Sequence, residues 1–222
     1  KNVDTGLGLE RMTMIMQGKE TPFDIELFEP VMKKLKEQYQ SGILMPIFSL
    51  ASPGGIGTFG KEAYRFVDFL KSAKQSYWQI LPLTPTGHGD SPYSSFSAFA
   101  GNPYFIDIEI LIEEKLLKEK EFKSFDFGNN PHKVDYQKLE AGRLELLKIA
   151  FERFTPDEEY NQFLKDNACW LDDYAYFMAI KAVNGGAGWH NWPQTLRRRD
   201  PDAMREIGKD LEKTINFYRF LQ

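Results

Sequence analysis

Cysteine is nearly absent from this sequence. With Cys169 alone among 222 residues, no internal disulfide can form and no zinc-type ligand spacing exists. That usage fits a reducing compartment, with Cys169 read as a small packed residue. Histidine is almost as scarce, and His88, His132 and His190 are too scattered to suggest a metal site. An excess of basic charge is missing too. Twenty-eight Lys and Arg stand against 32 Asp and Glu, a net charge of -4, so electrostatic capture of nucleic acid is not expected. The run Arg197 to Arg199 reads as a solvated helix flank. No apolar run approaches the roughly 18 residues of a membrane span. The chain opens on Lys1 without a signal-peptide pattern. The expectation is a cytoplasmic protein with neither nucleic-acid nor membrane partners. Internal repeats and low-complexity segments are lacking as well.

A chain of this length can bury roughly 70 per cent of its unfolded surface, so a sizeable core is within reach. One group of aromatic side chains clusters in a stretch that does not read as core. Between the apolar run Trp78 to Leu83 and a second at Tyr104 to Ile108, the chain shows neither helical nor strand period. A long ordered loop inside a domain is usually functional. This one mixes hydroxyls (Ser91, Ser94, Ser95, Ser97), rings (Tyr93, Phe96, Phe99, Tyr104), one carboxylate (Asp90) and one amide (Asn102). Rings offer apolar faces, and converging hydroxyl, amide and carboxylate groups orient ligand hydroxyls, so the mixture suits a neutral, hydroxyl-rich ligand. An aromatic-rich structural loop is the plainer alternative.

The flanking pattern is α/β. Gly42 to Leu50 reads as a buried strand, and Ser52 to Gly60 as a turn-rich connection. Ala63, Phe66, Val67 and Leu70 mark one face of a helix over Lys61 to Ala73, and Trp78 to Leu83 supplies a second strand. Strand, helix, strand at this spacing is a parallel βαβ unit. Such sheets bind ligands at the carboxyl ends of their strands, where the long loop begins. Beyond Asp107 the pattern is helical. Leu144, Leu147, Phe151 and Phe154 define one helix, and Thr155-Pro156-Asp157-Glu158 starts another. Trp170 to Val183 stops at Asn184-Gly185-Gly186. Asp200-Pro201 begins a last helix, with Met204, Ile207, Leu211, Ile215 and Tyr218 on one face. The notable carboxylates Asp172 and Asp173 read as helix-surface solvation.

The loop sequence ILPLTPTGHGDSPYSSFSAFAGNPYFID, Ile80 to Asp107, resembles the signature of the 4-alpha-glucanotransferases, the amylomaltase or disproportionating-enzyme family (glycoside hydrolase family 77). GILMPIFSLASPGGIGTFGKEAYRFVDFL (Gly42 to Leu70), WLDDYAYFMAIK (Trp170 to Lys181) and WPQTLRRRDPDA (Trp192 to Ala203) extend the resemblance. It implies a partial (β/α)8 TIM barrel, its first strands and helix, with a largely α-helical insertion over 39–222. It also implies transfer of α-1,4-glucan segments between maltooligosaccharides by a retaining double displacement, without a cofactor. That chemistry needs an aspartate nucleophile and a glutamic acid-base. In the family these carboxylates lie on later strands, and Asp90, Asp107, Asp172 and Asp173 match no catalytic motif. Ser91 and Tyr93 match the family residues that face bound glucan. Asp90 either joins them or braces the loop, and Asn102 and Pro103 shape the backbone behind. His88 stands where many relatives carry Tyr. Two barrel strands alone would leave unpaired edges and an apolar face.

Residues 1–38 differ from the rest. KNVDTGLGLERMTMIM and GKETPFDIELFEPVMKKL resemble the third class II motif of alanyl-tRNA synthetase, a short foreign α/β head. There Arg11, preceded by Glu10, would match the arginine that binds ATP phosphates. The other two motifs are absent, so no adenylate site assembles. Read without the resemblance, this is an extension with a helix from near Thr21-Pro22. The junction is expected between Lys36 and Ser41, as a fusion of two gene fragments. Besides the glucanotransferase reading, two others stand: a non-catalytic α-glucan-binding module, and a synthetase remnant.

Overall fold

The computed structural model describes residues 13, 15–21, 24–26, 28–38, 40–87, 89–128, 130 and 132–222. Glu10, Arg11, Pro22 and His88 lie outside the described residues. The chain divides into two compact units, Lys1–Leu44 with Phe69–Gln79, and Met45–Asp68 with Ile80–Gln222.

In the first unit, helix α1 runs over Glu29–Gln38, later than the start expected near Thr21-Pro22. The Thr21 hydroxyl donates to Asp24 Oδ2 (2.7 Å) and the Asp24 amide to the Thr21 carbonyl (3.1 Å), making a turn. Strands β1 (Gly42–Leu44) and β2 (Tyr77–Gln79) pair in parallel, with Gly42 opposite Tyr77 and Leu44 opposite Gln79. The expected parallel pair is present, but each strand has only three residues. Proline accounts for the early stop of β1, because it cannot donate to a ladder, and β2 ends at Gln79, opposite the last residue of β1. Pro46 (φ -62°) turns the chain into a single 3-10 turn, Ile47–Ser49, and Pro82 and Pro85 follow β2. The connecting helix α2, Lys61–Ser72, begins in the second unit and ends in the first, and it forms as its spacing predicts. Ala63 and Leu70 are buried, yet Val67, expected on the same face, is 48% exposed.

In the second unit, Tyr104 to Ile108 is not a strand. Asn102 Oδ1 accepts the Tyr104 amide (3.0 Å) and starts a 3-10 turn over Pro103–Phe105. Asp107 Oδ1 accepts the Ile110 amide (3.0 Å) and caps helix α3, Ile108–Glu113. Both side chains offer the backbone a turn in place of a ladder. Helices α4 (Glu119–Phe122), α5 (Tyr136–Phe151), α6 (Glu158–Asp166) and α7 (Leu171–Val183) follow. After them come α8 (Gln194–Arg197), α9 (Pro201–Asp210) and α10 (Glu212–Leu221). The last helix is therefore two, broken at Leu211 (φ -108°, ψ 15°).

The core of this unit is helix on helix. Helix α7 packs chiefly on α10, where Ala175 and Ala179, four apart and fully buried, leave room for Ile215, Tyr218 and Leu221. Leu139, Leu146, Leu147 and Ala150 bury the inner face of α5. Helix α7 ends in the expected glycine cap. The Gly186 amide reaches the Lys181 carbonyl (2.9 Å) and the Gly185 amide the Ala182 carbonyl (3.1 Å), with Gly185 at φ 63°. Asp157, rather than Thr155, caps α6 by accepting the Tyr160 amide (2.8 Å).

One surface expectation changes, and others gain partners. Asp172 and Asp173 are ion-paired, with Arg219 (2.8 Å) and Arg199 respectively, because α7 turns their edge toward arginines on later segments. Asp172, Asp173 and Arg199 stay exposed, as expected of helix-surface and helix-flank residues. Cys169 is exposed, since the turn joining α6 to α7 leaves its side chain outside the core. Among the described residues no helix is long and apolar enough to cross a membrane.

Candidate glucan-contact loop

The loop after β2 is built from short local hydrogen bonds. Thr86 and Ser95 form an antiparallel bridge, and the Gly87 amide donates to the Ser94 carbonyl (2.8 Å). Within this neck the chain reverses through Gly89 (φ 86°) and Asp90 (φ 54°). The left-handed region is open to glycine and tolerated by aspartate. Ser91 Oγ accepts the Tyr93 amide (3.3 Å), and the Ser94 amide donates to the Ser91 carbonyl (3.0 Å). The Tyr93 ring stands 74% exposed. Asp90, Ser91 and Tyr93 thus share one tight reversal. Asp90 has a further role: its charge helps raise the hydroxyl pKa of two tyrosines beside the loop. Tyr104 is pushed up to about 12, first by burial and then by Glu140 and Asp90, and Tyr136 rises for the same leading reason with Asp90 second.

The far half of the loop is fastened to the helical core. Phe99 stacks on Trp170 (centroids 6.0 Å apart, planes at 19°), and Phe96 lies 6.0 Å from Phe177 of α7. Lys181 Nζ sits 4.7 Å from the Phe96 centroid. Gly101 exchanges two hydrogen bonds with the Gln222 amide side chain, at 2.7 and 3.1 Å. The Asn102 amide closes the loop onto the Leu83 carbonyl (2.8 Å), which with its cap on Tyr104 is the backbone-shaping role expected of it.

Sequence reading missed what holds the exit of the loop. Arg143, fully buried on α5, donates from Nη2 to the carbonyls of Tyr104 (3.2 Å) and Ile106 (2.5 Å). Its Nε and Nη1 find no partner among the described residues. Burial pulls its pKa down to about 10, with Asp107 and Tyr104 opposing. Asp107 in turn accepts the Thr58 hydroxyl (2.5 Å). An arginine in the register Leu139, Arg143, Leu146, Ala150 was the available signal, since a charge in an apolar helix stripe is rarely unpaired.

The loop can present a ring face and hydroxyls to a sugar, and it holds no acid-base pair. A hollow of about 1060 Å³ lies elsewhere, lined by 48–56, Glu62, Gly128, His132 and Tyr136, among others, and not by Asp90, Ser91 or Tyr93. Among the described residues no group of three His, Cys, Asp or Glu could hold a metal.

A loop of hydroxyls and rings fastened to a helical layer suits a neutral, hydroxyl-rich ligand, and comparison with known proteins names a family. The family model for 4-alpha-glucanotransferase matches residues 45–222. The chain is 43% identical over 180 residues to a 4-alpha-glucanotransferase of Clostridium butyricum, covering 80% of this chain and 37% of that protein. It is 46% identical over 184 residues to one of Aquifex aeolicus, covering 82% and 37%. It superposes on the amylomaltase of Streptococcus agalactiae, solved in complex with acarbose, with a TM-score of 0.79 at 40% identity, covering 82% of this chain and 38% of that one. This chain belongs to the 4-alpha-glucanotransferase family, glycoside hydrolase family 77. It spans about 37% of the length of the relatives it matches, and the matched region is mostly helical with few strands.

Proposed function

We propose that residues 39–222 form the N-terminal part of a 4-alpha-glucanotransferase that moves α-1,4-glucan segments between maltooligosaccharides. In this reading β1, α2 and β2 open a (β/α)8 barrel, and 108–222 form a helical insertion. The loop carries the substrate contacts Ser91 and Tyr93. Asp90 both braces the reversal and faces the sugar. The observation that carries the reading is the near-continuous family match of Ile80 to Asp107, on a tight reversal that leaves the Tyr93 ring 74% exposed. Exposed apolar side chains on the βαβ segment, Leu44, Val67 and Tyr77, fit a surface that further barrel elements cover.

The mechanism divides between this chain and the rest of the barrel. Retaining transfer needs a nucleophilic aspartate and a glutamic acid that first protonates the leaving oxygen, then deprotonates the incoming hydroxyl. Those carboxylates come from strands outside these residues. Tyr93 gives a pyranose ring an apolar face and Ser91 a hydroxyl partner, which fixes the glucan before bond cleavage. The head, 1–38, is a synthetase-like segment joined near 36–41, and the protein acts in the cytoplasm on neutral glucans.

Incubating the full-length protein with maltotriose tests the reading, with the products separated by chain length. Transfer yields glucose together with maltopentaose, and Tyr93→Ala lowers the rate. Binding of maltooligosaccharide without any new product would favour a glucan-binding module, a reading that the 37% span keeps open. Neither binding nor transfer would sink both.

A further inference from the structure

The geometry points to a second carbohydrate-binding hollow, separate from Tyr93, that takes the end of an α-glucan chain between α7, the turn at Trp189–Asn191 and α9. A cavity of about 230 Å³ opens there, lined by Tyr176, Phe177, Trp189, Trp192, Asp173 and Arg199, among others. Its volume falls below the roughly 300 Å³ at which pockets for drug-sized ligands begin, which limits the occupant to about one ring. Two features suit a pyranose. Trp192 is fixed at the back, buried and donating from Nε1 to the Ala187 carbonyl (3.0 Å), while Trp189 is 57% exposed at the mouth. At the rim, Asp173 and Arg199 form an ion pair that offers carboxylate and guanidinium together, the acceptor and donors that sugar hydroxyls need.

A second, shallower hollow of about 380 Å³ shares Asp173, Tyr176 and Arg199 and adds Asp172 and Arg205. A chain end seated against the tryptophans can therefore pass its next ring over the polar rim. Gly208 permits the shape: a Cβ there would stand 2.5 Å from the Tyr176 hydroxyl. Phe177 connects this site to the loop. It lies 5.3 Å from Trp192 on one side and 6.0 Å from Phe96 on the other. An occupied hollow thus buttresses the segment that carries Ser91 and Tyr93.

The choice of an α-glucan as ligand rests on the proposed function. Calorimetric titration of the full-length protein with maltotetraose separates the two ideas. Two binding phases are expected. Trp189→Ala and, independently, Asp173→Asn should each weaken one phase about tenfold, and Tyr93→Ala should weaken only the other. Trp189 is exposed and Asp173 sits in a surface ion pair, so neither change threatens the core. If both phases survive Trp189→Ala and Asp173→Asn, or if a single phase disappears with Tyr93→Ala alone, the second hollow is refuted while the loop reading stands. A single phase sensitive to Trp189 and not to Tyr93 leaves the hollow standing and removes the loop reading. No binding by the wild type removes both.

Discussion

The βαβ segment and the helical segment of this chain solve burial in opposite ways. Residues 108–221 close on themselves. Leu139, Leu146, Leu147, Leu171, Ala175 and Ala179 are fully buried among neighbouring helices, and caps at Asp107, Asp135, Asp157 and Asp200 satisfy the starts of α3, α5, α6 and α9. The βαβ segment instead pairs only three residues per strand and exposes Leu44 (54%), Val67 (48%) and Tyr77 (60%). One region has finished its core within the chain. The other displays the edges and apolar faces of an open sheet, which elsewhere in α/β proteins are covered on both sides.

The largest effect that would sharpen this contrast lies in the helical region. Leu147→Ala should cost about 2–5 kcal/mol, read from the denaturant midpoint, because the side chain is fully enclosed. A loss comparable to a surface substitution would mean the helical core is not closed. Next comes the joint that steadies the loop. A Cβ at Gly60 would fall 1.8 Å from Asp107 Oδ2, a carboxylate already held by Thr58 and the α3 cap. Gly60→Ala should then cost about 1–3 kcal/mol, visible in the same melt.

Tyr93→Ala should weaken maltooligosaccharide binding about tenfold without moving the thermal midpoint, since the ring is 74% exposed. A shifted midpoint would make the residue structural. A pH effect belongs to the helical region. Glu121 accepts a fork from Arg153 at 2.6 and 2.8 Å, and that pairing pulls its carboxyl from about 4.5 down to about 2. The depressed pKa stabilises the fold fully above the unfolded value and is lost as pH falls toward the folded one. The gap in thermal midpoint between wild type and Glu121→Gln should therefore close between about pH 4.5 and about pH 2. A gap that is constant with pH would contradict the pairing. Smallest of all, Leu44→Ala and Val67→Ala should change the stability of the 222-residue chain by no more than about 0.5 kcal/mol. A larger loss would show that these side chains are already covered.

Much of this was legible in the sequence. Apolar spacing located α2, α7 and the Gly185-Gly186 stop, and the strand, helix, strand order fixed the parallel pair. Most of what escaped was set by single side chains acting against local propensity. Pro46 ended β1 early, and Asn102 and Asp107 bent an apolar run into a turn and a helix start. The break at Leu211 interrupts a stripe that periodicity carried straight through, and no side chain explains it. In the loop, residue types and order marked Asp90, Ser91 and Tyr93 as one group. The apolar register around Arg143 marked a buried charge in need of partners, but its partners Tyr104 and Ile106, like the Phe96–Phe177 contact, lie far along the chain and meet only in the fold.

Amide hydrogen exchange of the full-length protein, with and without saturating maltotetraose, tests the central claim most directly. Bound glucan should slow exchange across 86–95, where the amides of Gly87, Tyr93 and Ser94 hold the reversal that presents Ser91 and Tyr93. Glucan binding that leaves the exchange of 86–95 unchanged would contradict the account.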